Sequence, residues 1–185
     1  FDKTFGVTEE AYINNPNYLN GATGLTVDAS GNVYIVEENG ARLLKFAPDK
    51  TLLWQAGIAG MHDWGMTGLN WPREVIIGPD GMLWVANYGN GKLVKVDPQA
   101  RRIVKEVAMP AGRGGGPYAV TVDGAGRVWA NEINTDTVAL FDPKTEAFRV
   151  FALPTENSGI RKAIVDAQGR FWYMGSHSGR LGVIE

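Results

Sequence analysis

"IGPDGMLWVAN", residues 77–87, reads as the end of one strand, a tight turn and the start of a second strand. Pro79, Asp80 and Gly81 supply the turn, because proline, aspartate and glycine each favour turn backbone for their own reason. Trp84 then stands in a short apolar run of the kind that forms strands. The same pattern recurs three more times without gaps: "VDASGNVYIVE" at 27–37, "VDGAGRVWANE" at 122–132 and "VDAQGRFWYMG" at 165–175. Glycine and aromatic keep register throughout. The aromatics are Tyr34, Trp84, Trp129 and Trp172, spaced 50, 45 and 43 residues apart. A strand-and-turn unit repeating every ~40–50 residues is the mark of a propeller blade.

Each unit can be read outward from that turn. A short apolar strand such as "YAVTVD" (118–123) precedes it, and the aromatic strand follows. A third strand comes next, as in "KLVKVDP" (92–98) and "TVALFDP" (137–143). A fourth follows in "TLLWQAG" (51–57), "RIVKEVAMP" (102–110) and "AFRVFALP" (147–154). In "TVALF" the period of two puts Val138 and Leu140 on one side. The expectation is an all-β propeller in a single domain, with blades near 20–57, 70–110, 115–154 and 159–185. The last unit reaches Glu185 in the register of Asp97 and Asp142, so its outer strand is not in that run. "FDKTFG" (1–6) is similar to "FDPKT" (141–145), and is expected to be the outer strand of the last blade or of a preceding one.

Composition narrows the function classes. The 185 residues carry a net charge of −2, which leaves no basic footprint for a nucleic acid. No segment approaches the roughly 20 apolar residues that a membrane helix needs. There is no cysteine, which excludes disulfides, thiolate metal sites and cysteine nucleophiles. The chain opens on Phe1, as expected where a leader has been removed or where the sequence belongs to something longer.

Residues 117–185 resemble the streptogramin lyase (virginiamycin B lyase) family of propellers, through the proline before the first strand, "GRVW", the "FDP-T" turn and "LPT" at the blade end. "GLTVDASGNVYIVEENGARLLKF" (24–46) is more similar to an NHL repeat. The resemblance implies a ring of six or seven blades and a periplasmic or secreted home. It is less specific for activity, because the same blade serves lyases, gluconolactonase-like enzymes and plain binding modules. In the lyases the motif "W-F-T-E-x-H" supplies a catalytic Glu and His, acting with a further His and Mg²⁺. Here "WYMGSH" (172–177) keeps His177 and places Gly175 where the Glu belongs. The family's other His precedes a first strand, where this chain has Thr23, Arg73, Tyr118 and Arg161. Glu132, in the neighbouring blade, is the carboxylate that would replace the lost one.

The blades also place polar residues in matching positions. Six residues after the repeat glycine stand Glu37, Asn87, Glu132 and Gly175, and two further on Asn39, Gly89, Asn134 and His177. With Arg73, Tyr118 and Arg161 these are expected to ring one end of the channel. Such a cluster suits an anionic or sugar-like ligand, or a Mg²⁺ or Ca²⁺ ion held through oxygens. The same residues also suit solvated turns. "GIAGMHDWGMTGLNWP" (57–72) is the longest inter-blade insertion, and Trp64 and Trp71 in it read either as a protein-contact patch or as a seal between blades. "AGRGGGPY" (111–118) lacks the GK[ST] of a phosphate loop and reads as a connection. Two functions stand together at this point: an extracytoplasmic ligand- or protein-binding propeller, and a metal-dependent lyase or lactonase.

Overall fold

The computed structural model describes residues 19–58, 60–62 and 68–185. Residues 1–6 and Trp64, both assigned roles from the sequence, lie outside the described residues. The chain forms antiparallel sheets in strict sequence order. Blade 1 comprises β1 (Ala22–Val27), β2 (Val33–Glu37), β3 (Arg42–Phe46) and β4 (Leu52–Ala56). Blade 2 comprises β5 (Pro72–Ile77), β6 (Leu83–Asn87), β7 (Lys92–Asp97) and β8 (Arg102–Ala108). Blade 3 comprises β9 (Pro117–Val122), β10 (Val128–Glu132), β11 (Thr137–Asp142) and β12 (Ala147–Ala152). Blade 4 has three strands among the described residues: β13 (Ile160–Val165), β14 (Phe171–Gly175) and β15 (Arg180–Ile184).

The repeated turn is built by its aspartate. In blades 1, 3 and 4 one carboxylate oxygen, of Asp28, Asp123 or Asp166, accepts the backbone N–H two and four residues on, at 2.9–3.0 Å. The glycine before the second strand has φ between 76° and 82° in all four blades, a region that side-chain-bearing residues rarely enter. The second oxygen then anchors the next strand. Asp28 accepts from the Tyr34 hydroxyl at 3.2 Å, and Asp166 accepts from Trp172 Nε1–H at 2.8 Å.

The aromatic holds blade to blade. Tyr34 packs into a cluster with Val75, Leu83, Val85, Val94 and Val96 of blade 2. Trp84 packs likewise against Val120, Val128 and Phe141 of blade 3. Trp129 stacks on Phe171 of blade 4, ring centroids 5.2 Å apart. Each blade therefore has a projecting face that carries the aromatic and a seating face that accepts its neighbour's. Strand alternation assigns the two faces. In β11, Val138 and Leu140 join the cluster with blade 4, while Ala139 and Phe141 join the one with blade 2. The inner strands β1, β5, β9 and β13 stand side by side in that order.

Candidate functional site

The first strand of every blade starts with a β-bulge. Pairing skips between Ala22 and Gly24, between Pro72 and Glu74, and between Ile160 and Lys162. In blade 3, Tyr118 and Ala119 face one residue of β10. A bulge inserts an unpaired residue and re-aims its side chain. The re-aimed residues are Thr23, Arg73, Tyr118 and Arg161, the set that the sequence placed before the first strands. Two residues earlier the backbone has positive φ: Gly21 at 67°, Trp71 at 47°, Gly116 at 61° and Gly159 at 59°. Trp71 thus holds a conformation that glycine holds in the other three blades.

Arg73, Tyr118 and Arg161 line one cavity of about 720 Å³ at this end of the blades. Tyr88, Ile133, Asn134, Asp136, Glu156, Asn157 and His177 complete its lining. The Arg73 guanidinium lies over two phenol rings that meet edge to face, 4.8 Å from the centroid of Tyr88 and 5.1 Å from that of Tyr118. Arg161 lies 5.8 Å from the centroid of the same Tyr118. Arg73 also pairs with Glu38, while its buried Nε–H has no hydrogen-bond partner. Guanidinium groups stacked on rings are held flat with their N–H edges free to donate. Tyr88 is backed in turn by Trp71, centroids 6.4 Å apart, and Trp71 by His62 at 5.6 Å. Burial holds the His62 imidazole below its ordinary range, with the Glu38 carboxylate acting the other way.

On the far wall His177 Nδ1 meets Asn157 Oδ1 at 3.1 Å. Asp136 faces inward, but its two oxygens accept the backbone N–H groups of Asn157 and Ser158 at 2.6 and 2.8 Å. Asn134 donates to Gly114 O at 3.1 Å and to the Tyr88 hydroxyl at 3.4 Å.

Glu37, Asn87 and Glu132 are not in that lining: they are buried and tied to the chain that enters each blade. Glu37 takes Arg42 through Nε at 2.6 Å and Nη2 at 3.1 Å, and accepts Asn20 N–H at 2.9 Å. Asn87 accepts Asn70 N–H at 2.7 Å and donates to Gly68 O at 3.0 Å. Glu132 accepts Ala111 N–H at 2.8 Å and the Thr137 hydroxyl at 3.2 Å. Of the two residues assigned to catalysis, then, His177 faces the cavity and Glu132 is spent on clamping a loop. Trp71 is half-buried behind Tyr88.

The lyase-type metal does not fit this arrangement. Among the described residues no three His, Asp or Glu side chains stand together as a ligand set. Of the carboxylates in the cavity lining, Asp136 has both oxygens engaged by the backbone of the loop that carries Asn157.

Sequence reasoning missed Tyr88 and Ile133, which stand four residues after the aromatic. That position lies between the two polar rings it did consider, and also holds Glu38, the partner of Arg73. Asn157 and Glu156 come from a connecting loop outside the repeat.

Comparison with known proteins supports the fold. The blades are those of a β-propeller. Virginiamycin B lyase from Staphylococcus aureus, solved with quinupristin, superposes with a TM-score of 0.76 at 19% identity, covering 93% of this chain and 54% of that one. The extracellular domain of a one component system from B. thetaiotaomicron superposes with a TM-score of 0.61 at 17% identity, over 82% of this chain and 21% of that one. In sequence, NHL repeat-containing protein 3 of Mus musculus is 35% identical over 86 residues, 45% of this chain and 24% of that protein. The chain thus spans about half of the lyase and a quarter of the NHL protein. No protein-family model matches. Among the described residues no helix is long and apolar enough to cross a membrane.

Proposed function

We propose that this chain is an extracytoplasmic propeller module that binds a small carboxylate-bearing ligand at the bulge end of its blades. The observation that carries the reading is the pair of arginines, Arg73 from blade 2 and Arg161 from blade 4, both against the Tyr118 ring in one cavity. Arginine forks match carboxylates in two parallel hydrogen bonds. Both arginines belong to the lining of the cavity, where such a ligand would meet them. Tyr88 and Tyr118 supply flat apolar walls for a sugar ring or an aromatic body. The extracellular setting of the B. thetaiotaomicron neighbour supports the placement.

Isothermal titration with citrate, glucuronate and glucose tests the reading. The two anions are expected to bind and glucose is not. Arg73→Ala and Arg161→Ala should each weaken binding about ten-fold or more, the size of a lost charge-assisted hydrogen bond. Silence from all three probes, or equal binding by both variants, would sink the proposal.

The lyase-like reading keeps one observation, His177 in the cavity wall. It needs a titratable base whose proton transfer His177→Ala abolishes. Turnover of a cyclic ester or lactone that His177→Ala removes would favour it over plain binding.

A further inference from the structure

The charged side chains that line the cavity can be balanced one by one. Arg73 is paired with Glu38. Asp136 spends both oxygens on the backbone N–H groups of Asn157 and Ser158. His177 meets Asn157 through Nδ1. Two opposite charges are left over, Arg161 and Glu156. Arg161 lies against the Tyr118 ring, but among the described residues neither side chain has an ion pair or a hydrogen bond, with each other or with anything else.

Glu156 is presented by a pinned loop, the connection between β12 and β13. On one side of it, the Thr155 carbonyl accepts the Ser158 hydroxyl at 2.6 Å, and the Thr155 hydroxyl accepts from Arg180 at 3.2 Å. On the other side, Asn157 is held by Asp136 and His177. Its backbone has φ 52°, in the left-handed region that asparagine enters more readily than most residues. The backbone is thus fixed on both flanks while the Glu156 carboxylate stays exposed. The lining also offers an apolar surface: the rings of Tyr88 and Tyr118, edge to face with centroids 6.4 Å apart, and Ile133.

We propose that the ligand is an amino acid with an aromatic or large apolar side chain. This rests on the carboxylate reading above and narrows it. The ligand carboxylate goes to Arg161, its ammonium to Glu156, and its side chain against Tyr88 and Tyr118. A ligand that carries only a carboxylate satisfies Arg161 and sets a like charge in the same cavity as Glu156. A ligand that carries both signs satisfies both, and hydrogen bonds between ionised groups are the strong ones. Complementary charges of this kind also reject the wrong partner.

Isothermal titration at pH 7 with phenylalanine, phenylpropanoate and phenethylamine tests it. The three share one ring and carry both charges, the negative one alone and the positive one alone. Phenylalanine should bind at least about ten-fold more tightly than either of the others, the worth of one charge-assisted hydrogen bond. Glu156→Gln alters an exposed residue, so it should fold with an unchanged circular dichroism spectrum. It should weaken phenylalanine about ten-fold and tighten phenylpropanoate, because the like charge is gone. A loop that was merely distorted would move both ligands in the same direction, and that result would overturn the proposal. Phenylpropanoate binding as tightly as phenylalanine would overturn it too, and would leave the carboxylate reading standing. So would citrate or glucuronate binding while phenylalanine stays silent. Silence from all of these probes would overturn both.

Discussion

Trp71 holds a left-handed backbone that three sister positions give to glycine, and it does so behind the cavity wall. For a residue with a Cβ that conformation costs about 1–2 kcal/mol. The ring offsets part of this by packing on Tyr88 and His62. Alanine here would keep the strain and lose the packing, whereas glycine would lose both. Trp71→Gly is therefore expected to be more stable than Trp71→Ala by about 1 kcal/mol, the reverse of the usual order in regular structure. Urea unfolding of the pair checks it. Both should weaken citrate binding, since Tyr88, and through it Arg73, loses its backing. Gly159 makes a second case. At φ 59° its Cβ would meet the His177 ring, while Gly112 at φ 60° faces open space. Gly112→Ala should show backbone strain alone. Gly159→Ala should be less stable than Gly112→Ala by about 1 kcal/mol or more, through a displaced side chain, and the His177 imidazole resonances should shift only in Gly159→Ala.

The turn at the head of each aromatic strand is the element that makes a blade, and in blades 1, 2 and 4 its aspartate is held below the usual carboxylate range. Asp166 is held well below the usual carboxylate range, first by the Trp172 N–H and then by hydrogen bonds from Arg170 and Gln168. Asp28 and Asp80 are also lowered. Burial pulls them upward, but hydrogen bonds from Asn32, Tyr34 and Ser30 to Asp28, and from Lys95 and Met82 to Asp80, outweigh it. A carboxylate depressed in the folded state stabilises the fold above its unfolded pKa of about 3.9, and that contribution is lost as pH falls through the folded values. The urea midpoint should therefore fall steeply below about pH 4. In the Asp28→Asn, Asp80→Asn, Asp166→Asn triple variant the midpoint should be lower at pH 7 and the acid limb shallower. These turns were legible in the sequence because turn chemistry is local: aspartate, glycine and aromatic sit within eight residues of each other. The bulges beside them were legible only as positions. A bulge is a property of pairing with β2, β6, β10 or β14, and neither strand announces it alone. The roles of Glu37, Asn87 and Glu132 were hidden for a related reason. Their partners, Asn20, Asn70 and Ala111, lie 17–21 residues away in connections that do not repeat. A polar residue at a strand end looks the same whether it faces a ligand or a neighbouring loop.

Across the whole molecule, stability is distributed by interface, because each blade buries its apolar face only against the next. Residues at one repeat position should then differ in worth by whether a neighbour follows. Leu43, Leu93 and Val138 occupy the third-strand position of the projecting face and are fully buried; Leu181 occupies it in blade 4 and is 69% exposed. Leu93→Ala removes packing between blades 2 and 3 and leaves a cavity, which costs about 2–5 kcal/mol. Leu181→Ala takes atoms from a surface that solvent already reaches, and within an isolated chain should cost about 0.5 kcal/mol. The two truncations are chemically identical, so the difference between them measures a blade-to-blade contact and nothing else. Unfolding at sub-micromolar protein, followed by tryptophan fluorescence, gives the isolated-chain values. A Leu181→Ala cost as large as that of Leu93→Ala would overturn the expectation and mean that this face is covered within one chain.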